Sequence, residues 1–286
     1  MNTKTATRGF LDTALAPLRA PRRMNAHAID RSAEPTAPTR DPAPDAVGPQ
    51  TGVRPADNAA AALWPHEPVG RLADLRRKTP DGWVATSDPA QGRRHDTLRA
   101  LRTELMLRRE STEQGDVIAL LSPGAGEGRS LLLAELAMAF ARTGHTTLLV
   151  DADLRRPQQH LLFGLPNDRG LAQAIEFEEH PLLCSVQGLA RLSVISAGLT
   201  MADPLELLSS QRFAALMHGW RENFEFVLVD TAPAGRFSEG LAVAHLAGRV
   251  LVLSRAQHTA SRDMADMLRR LSSTRAQILG AVVNHF

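Results

Sequence analysis

Three glycines fall within five positions, Gly124, Gly126 and Gly128, in the stretch DVIALLSPGAGEGRS at residues 116–130. Glycine lets backbone N–H groups converge on an anion with no Cβ in the way. Before the loop, VIALL (117–121) has the uninterrupted, partly β-branched character of a buried strand. After it, LLLAELAMAFAR (131–142) is rich in helix formers and closes on Thr143-Gly144. Strand, glycine loop and helix N-terminus in that order form an anion trap of phosphate size, because the helix dipole adds to the donors of the loop. Taken alone, the loop can also be read as a glycine-rich turn that connects a strand to a helix. It departs from the phosphate-loop pattern G-x-x-x-x-G-K-[ST] (Walker A) at two positions, with Pro123 for the first glycine and Arg129 for the lysine.

Acids close two further apolar runs. TTLLV (146–150) ends in Asp151-Ala152-Asp153, and FVLV (226–229) ends in Asp230-Thr231. Ligands of a parallel sheet gather beyond the C-terminal ends of its strands. Carboxylates there, beside a phosphate loop, suit a Mg²⁺ ion clamped against a nucleotide, and Asp230 has the form of a Walker B acid. An Asp after a strand can equally cap the helix that follows, and that reading stays open for Asp151 and Asp153.

The rest of the chain must position these groups. Apolar runs at 192–195, 249–253 and 277–283 alternate with helical stretches at 204–224, 237–247 and 259–271. The alternation predicts an α/β fold, a mostly parallel sheet with helices on both faces and no second domain. Ahead of it, residues 93–110 predict a helix with Leu98, Leu101, Leu105 and Leu107 on its apolar side and Arg99 and Arg102 on its polar side. Residues 1–85 are expected to be a disordered tail, because the Pro- and Ala-rich stretch 35–65 has no apolar periodicity to offset its ordering entropy. Residues 8–23 could form a short basic amphipathic helix, but Pro17 interrupts the pattern and an unstructured terminus is the stronger reading.

Composition excludes several classes. At 286 residues and 43% hydrophobic, the chain can bury one good core. A net charge of +2 and the absence of tyrosine argue against a nucleic-acid partner. Cys184 is the only cysteine, so no disulfide framework forms within one chain. No apolar run reaches the ~18 residues of a membrane span.

Together these motifs resemble the bacterial tyrosine kinases of exopolysaccharide and capsule synthesis. The resemblance rests on LLVDADLRRPQQHLLFGLPNDRGL (148–171), DPLELLSSQRF (203–213), FVLVDTAP (226–233) and LGAVVN (279–284), and covers about residues 86–286. MinD and ParA ATPases share the fold, but their extra signature lysine would fall at Gly124. The resemblance implies a P-loop domain that binds ATP and Mg²⁺. Gly124, Ala125, Gly126, Glu127, Gly128, Arg129, Ser130 and Leu131 would form the phosphate site, and Asn284 would contact the adenine. Ser130, Asp151, Asp153 and Asp230 would serve the metal, with Asp151, Asp153 and Arg129 in catalytic roles.

It also implies a ring of subunits joined through a Glu-x-x-Arg-x-x-Arg helix, here Asp96, Arg99 and Arg102, and a separate membrane-embedded chain-length determinant as partner. A cytoplasmic location, reaching to the inner face of the plasma membrane, is implied with it. With no tyrosine in this sequence, the family's phosphorylated tyrosine cluster has no counterpart, so the acceptor is expected on another protein. The expected activity is therefore transfer of the ATP γ-phosphate to tyrosine of a partner. The alternative is a catalytically weak, nucleotide-binding regulator of the export machinery.

Overall fold

Alternate residues of the central strands point to opposite faces, and in this chain both sets are apolar. The computed structural model describes residues 66–70, 89–109, 114–200 and 202–285. They form β1 (His66–Gly70), α1 (Pro89–Leu107), β2 (Asp116–Leu121), α2 (Arg129–Arg142), β3 (Thr147–Ala152), α3 (Gln159–Phe163), α4 (Leu171–Glu176), β4 (Leu183–Val186) and β5 (Leu189–Ile195). After these come α5 (Pro204–Leu208), α6 (Gln211–Asn223), β6 (Phe226–Thr231), α7 (Glu239–Ala247), β7 (Arg249–Arg255), α8 (Ser261–Leu271) and β8 (Gln277–Asn284).

Val117, Ala119 and Leu121 of β2 join Val227 and Val229 of β6 on one face, under Phe213, Leu216 and Trp220 of α6 and Val243 of α7. Ile118 and Leu120, with Leu228 of β6 and Leu251 of β7, line the other face under Leu101 and Leu105 of α1 and Leu133 and Phe140 of α2. A sheet buried on both faces is the parallel solution of the strand pattern. The strand order is β1-β4-β5-β3-β6-β2-β7-β8. From β5 to β8 every neighbouring pair is parallel.

Three features differ from the sequence reading. β4 is an additional strand, antiparallel to β5, and Gln187-Gly188 turns the chain between them with Gly188 at φ +82. A two-residue turn with glycine between apolar runs was the available signal. Secondly, His66–Gly70 lies within the stretch expected as tail, yet it pairs in parallel with β4. The pairing needs only main-chain groups, and an outer strand tolerates Pro68. The remaining expectations for residues 1–65 and 71–88, including the basic segment 8–23, lie outside the described residues. Thirdly, Leu107 is 76% exposed while Leu98, Leu101 and Leu105 are buried. The three buried leucines follow helical spacing, whereas Leu107 lies two residues past Leu105 and roughly 200° further round the helix.

α1 is fastened to α2 by charge as well as by leucine. Arg94 reaches Glu135 at 2.7 Å, and Arg102 Nη1 donates to the Ala139 carbonyl at 3.3 Å. Burial pushes the Glu135 carboxyl up from its usual range, and Arg94 partly offsets that rise.

Candidate functional site: a glycine loop over paired carboxylates

Register brings the acids together. β3 and β6 pair so that Asp151 stands opposite Asp230, and β2 places Leu120 on the other side of Asp230. Both acids have 0% exposure, at the strand ends that lead to the glycine loop. Burial drives the Asp151 carboxyl well above its ordinary range, and the neighbouring Asp230 charge adds to the rise. The Asp230 carboxyl is also raised by burial, although the Arg129 charge and hydrogen bonds from Ser130 and Gln159 pull it back.

The two carboxylates do different work. Asp151 spends both oxygens on main-chain donors, with Oδ1 accepting from Asp153 N at 3.2 Å and Oδ2 accepting from Gln158 N and Gln159 N at 2.9 Å. The helix-capping reading therefore describes Asp151, which holds the segment leading into α3. Asp230 Oδ2 accepts from Gln159 Nε2 at 2.9 Å and the Ser130 hydroxyl lies close enough to the carboxylate to steady its charge, while its Oδ1 is buried with no partner. Asp153 Oδ1 accepts from Arg156 N at 3.0 Å, and Oδ2 lies 4.0 Å from Arg129 Nη2.

Among the described residues no three acidic or histidine groups converge as a ligand cage. Magnesium does not require one. It commonly uses one or two carboxylates beside phosphate oxygens and waters. Ser130 together with the unpartnered Asp230 Oδ1 suits that mode.

The loop itself bends at Gly126 and Gly128, with φ +74 and +96, conformations that a side chain rarely adopts. Gly128 is the N-cap of α2, whose first turn points its unpaired N–H groups at the loop mouth. Gly235, after β6, donates to the Pro123 carbonyl at 3.1 Å, and a Cβ there would come within 2.5 Å of that oxygen. A glycine is required at this close approach. Ala125 and Leu131 are half-buried beside the mouth.

Arg129 is 7% exposed and bonds inward. Its Nε donates to the Thr231 carbonyl at 2.9 Å, and Nη1 donates to the Gly124 carbonyl at 2.7 Å and to Ser122 Oγ. Three guanidinium hydrogen bonds are thus satisfied within the chain, and Nη2 faces Asp153. Asn284, at the end of β8, is buried with Nδ2 donating to the Glu127 carbonyl at 2.9 Å.

Two site residues escaped the sequence reading. Gln159, with 0% exposure, spans the site by donating from Nε2 to the Ser130 carbonyl at 3.0 Å as well as to Asp230. No motif marks it. Thr259, in the turn after β7, donates from its hydroxyl to Glu127 Oε1 at 2.5 Å. Across the mouth, Arg155 pairs with buried Glu239 at 2.5 Å and lies 4.2 Å over the Phe237 ring.

No family model matches this sequence. The tyrosine-protein kinase YwqD of Bacillus subtilis is 29% identical over 204 residues, covering 70% of this chain and 84% of that protein. The chain also aligns with the tyrosine-protein kinase ptk of Acinetobacter johnsonii, at 29% identity over 195 residues, which cover 66% of this chain and 26% of ptk. Among solved structures, the chimerical protein CapA2B2 matches with a TM-score of 0.64 and 26% identity over 78% of this chain and 95% of that one. The chain belongs to the bacterial tyrosine kinase family.

Within that family it spans most of YwqD but only about a quarter of ptk. The cell-division ATPase MinD of Pyrococcus furiosus, 21% identical with a TM-score of 0.53, shares the fold. A P-loop α/β sheet, expected from the alternation of runs, is the observed architecture. No helix among the described residues is long and apolar enough to cross a membrane.

Proposed function

We propose that the chain binds ATP with magnesium and transfers the γ-phosphoryl group to a tyrosine hydroxyl of a partner protein in polysaccharide export. The observation that carries this reading is the Ser130–Asp230–Gln159 cluster beneath a glycine loop, with one carboxylate oxygen left open. A chain that served only as a scaffold would have no use for a buried carboxylate oxygen left open beneath a glycine loop.

In this reading the N–H groups of residues 124–131 cradle the phosphates, and Ser130 and Asp230 hold the ion. Magnesium, when bound, supplies charge neutralisation at the β- and γ-phosphates. Asp151 fixes the segment 153–159 through its three N–H bonds. In the proposed reaction Asp153, carried on that segment, takes the proton of the acceptor phenol. Asn284, which donates to the Glu127 carbonyl, is proposed to contact the adenine.

A weakly catalytic regulator is the second reading, and the inward bonding of Arg129 favours it. Calorimetric titration with ATP, with and without Mg²⁺, tests the common ground. Magnesium-dependent binding is expected, and no binding to the purified chain would remove both readings. Phosphate transfer to a tyrosine-bearing partner, followed in parallel, separates them.

Assembly is proposed to run through Asp96, Arg99 and Arg102 of α1, and the membrane-embedded chain-length determinant is proposed as partner. Arg99 and Asp96 are both exposed and lie 3.6 Å apart, so they are available to a neighbouring copy. Arg102 also braces its own α2 through Ala139. Arg99→Ala is accordingly expected to reduce a ring to monomers by light scattering with the melting temperature unchanged. Arg102→Ala is expected to do the same with some loss of stability. An unchanged mass in both variants would remove α1 from the interface.

A further inference from the structure

The Glu127 side chain sits where an anion trap should least want one. It is 2% exposed and lies within the glycine loop, where both of its oxygens accept from neutral donors. Oε2 accepts from the Gly124 backbone N–H at 3.0 Å, closing the loop on itself. Oε1 accepts from the Thr259 hydroxyl at 2.5 Å. The loop is gripped from the same side at two further points. Asn284 Nδ2 donates to the Glu127 carbonyl at 2.9 Å, and Arg255 Nη1 donates to the Gly126 carbonyl at 3.1 Å. Thr259 is itself held, since its Oγ1 accepts from Arg255 N at 2.8 Å.

We infer that Glu127 is a positioning residue that keeps the glycine loop in its phosphate-ready shape and ties it to the turn after β7. A loop with three glycines loses much conformational entropy on ordering, and a ligand that must order it binds correspondingly weakly. Glu127 does that ordering in advance. The same link means that whatever contacts the Arg255–Thr259 turn alters the phosphate cradle, although the two segments are more than a hundred residues apart in sequence.

The inference deepens the nucleotide reading above and rests on it. Its test uses the full chain with Mg²⁺ and ATP by calorimetry, together with amide hydrogen exchange of residues 124–128 in the free protein. Thr259→Val removes the hydroxyl and keeps the shape. It should weaken ATP binding about tenfold, the equivalent of one lost charge-assisted hydrogen bond, and speed exchange in the loop. Glu127→Ala should do at least as much, and Thr259→Ser should restore both readouts.

The double variant Glu127→Ala/Thr259→Val should be no weaker than Glu127→Ala alone, because the two act as one unit. Additive losses, or wild-type loop exchange in Thr259→Val, would overturn the link while leaving nucleotide binding in place. If the wild-type chain binds no nucleotide, the functional reading falls and takes the positioning role with it.

Discussion

Asp230→Asn makes the free protein more stable at pH 7, by about 1 kcal/mol, the range seen when an active-site strain is relieved. Asp230 and Asp151 are wholly buried in-register neighbours, and each ionised carboxylate raises the cost of the other. Asparagine keeps the shape and removes one charge. Gln159 can adapt by turning its amide, since its own Oε1 has no partner.

The pH dependence follows from the direction of both shifts. A carboxyl raised in the folded state binds protons there that it has already lost in the unfolded chain, whose pKa is about 3.9. The associated stability is fully present below that value and is lost as pH rises through the raised folded values. Wild-type stability should therefore climb as pH falls through the raised folded values of the two carboxyls toward the ordinary carboxylate range. In Asp230→Asn the slope should be shallower, with the Asp151 contribution remaining. Magnesium-dependent ATP affinity should drop by at least tenfold in the same variant, because the carboxylate charge that would face the ion is gone. Urea denaturation across pH checks the first statement and calorimetry the second. A variant less stable than wild type at neutral pH would show that the hydrogen bonds to Asp230 outweigh the repulsion.

Arg129→Lys should move stability and chemistry in opposite directions. The guanidinium fork spans the Thr231 carbonyl, the Gly124 carbonyl and Ser122 Oγ at once, which a single ammonium cannot do. At roughly 1 kcal/mol for each net hydrogen bond, losing one or two lowers stability by about 1–2 kcal/mol. A lysine left free of those carbonyls can instead reach the phosphates, and phosphoryl transfer depends on such positioning. Transfer to a tyrosine-bearing acceptor should rise about tenfold or more if the arginine restrains an otherwise competent site. Equal transfer by both forms would make the arginine a full substitute, and no transfer by either would favour the regulator.

How much of this was legible in the sequence depends on the distance over which each feature is decided. The glycine loop and its flanking elements are local, and residues 116–142 carried them without help from the rest. The buried strands were legible because both faces of the sheet are covered, so their runs are apolar without alternation. The division of labour between Asp151 and Asp230 was not legible. Both close apolar runs, and only the loop that returns through Gln158 and Gln159 decides which one becomes a cap. Gln159 and Thr259 are ordinary loop residues in sequence, and their roles come from contacts with Asp230 and Glu127 that no spacing rule connects. His66–Gly70 pairs through its main chain, which leaves little trace in side-chain pattern.

The in-register pairing of Asp151 with Asp230 also says where this gene can tolerate changes of length. Side chains alternate along a strand, so one residue inserted within 148–150 or 227–229 would send an acid through the sheet to the opposite face. The same insertion at Gln187-Gly188 would merely enlarge a turn at the far side of the sheet, where strand order sets β4 and β5 away from the glycine loop. Single-codon insertions and deletions are therefore excluded from two strands that carry no glycine motif, while the hairpin beside them is free to drift in length.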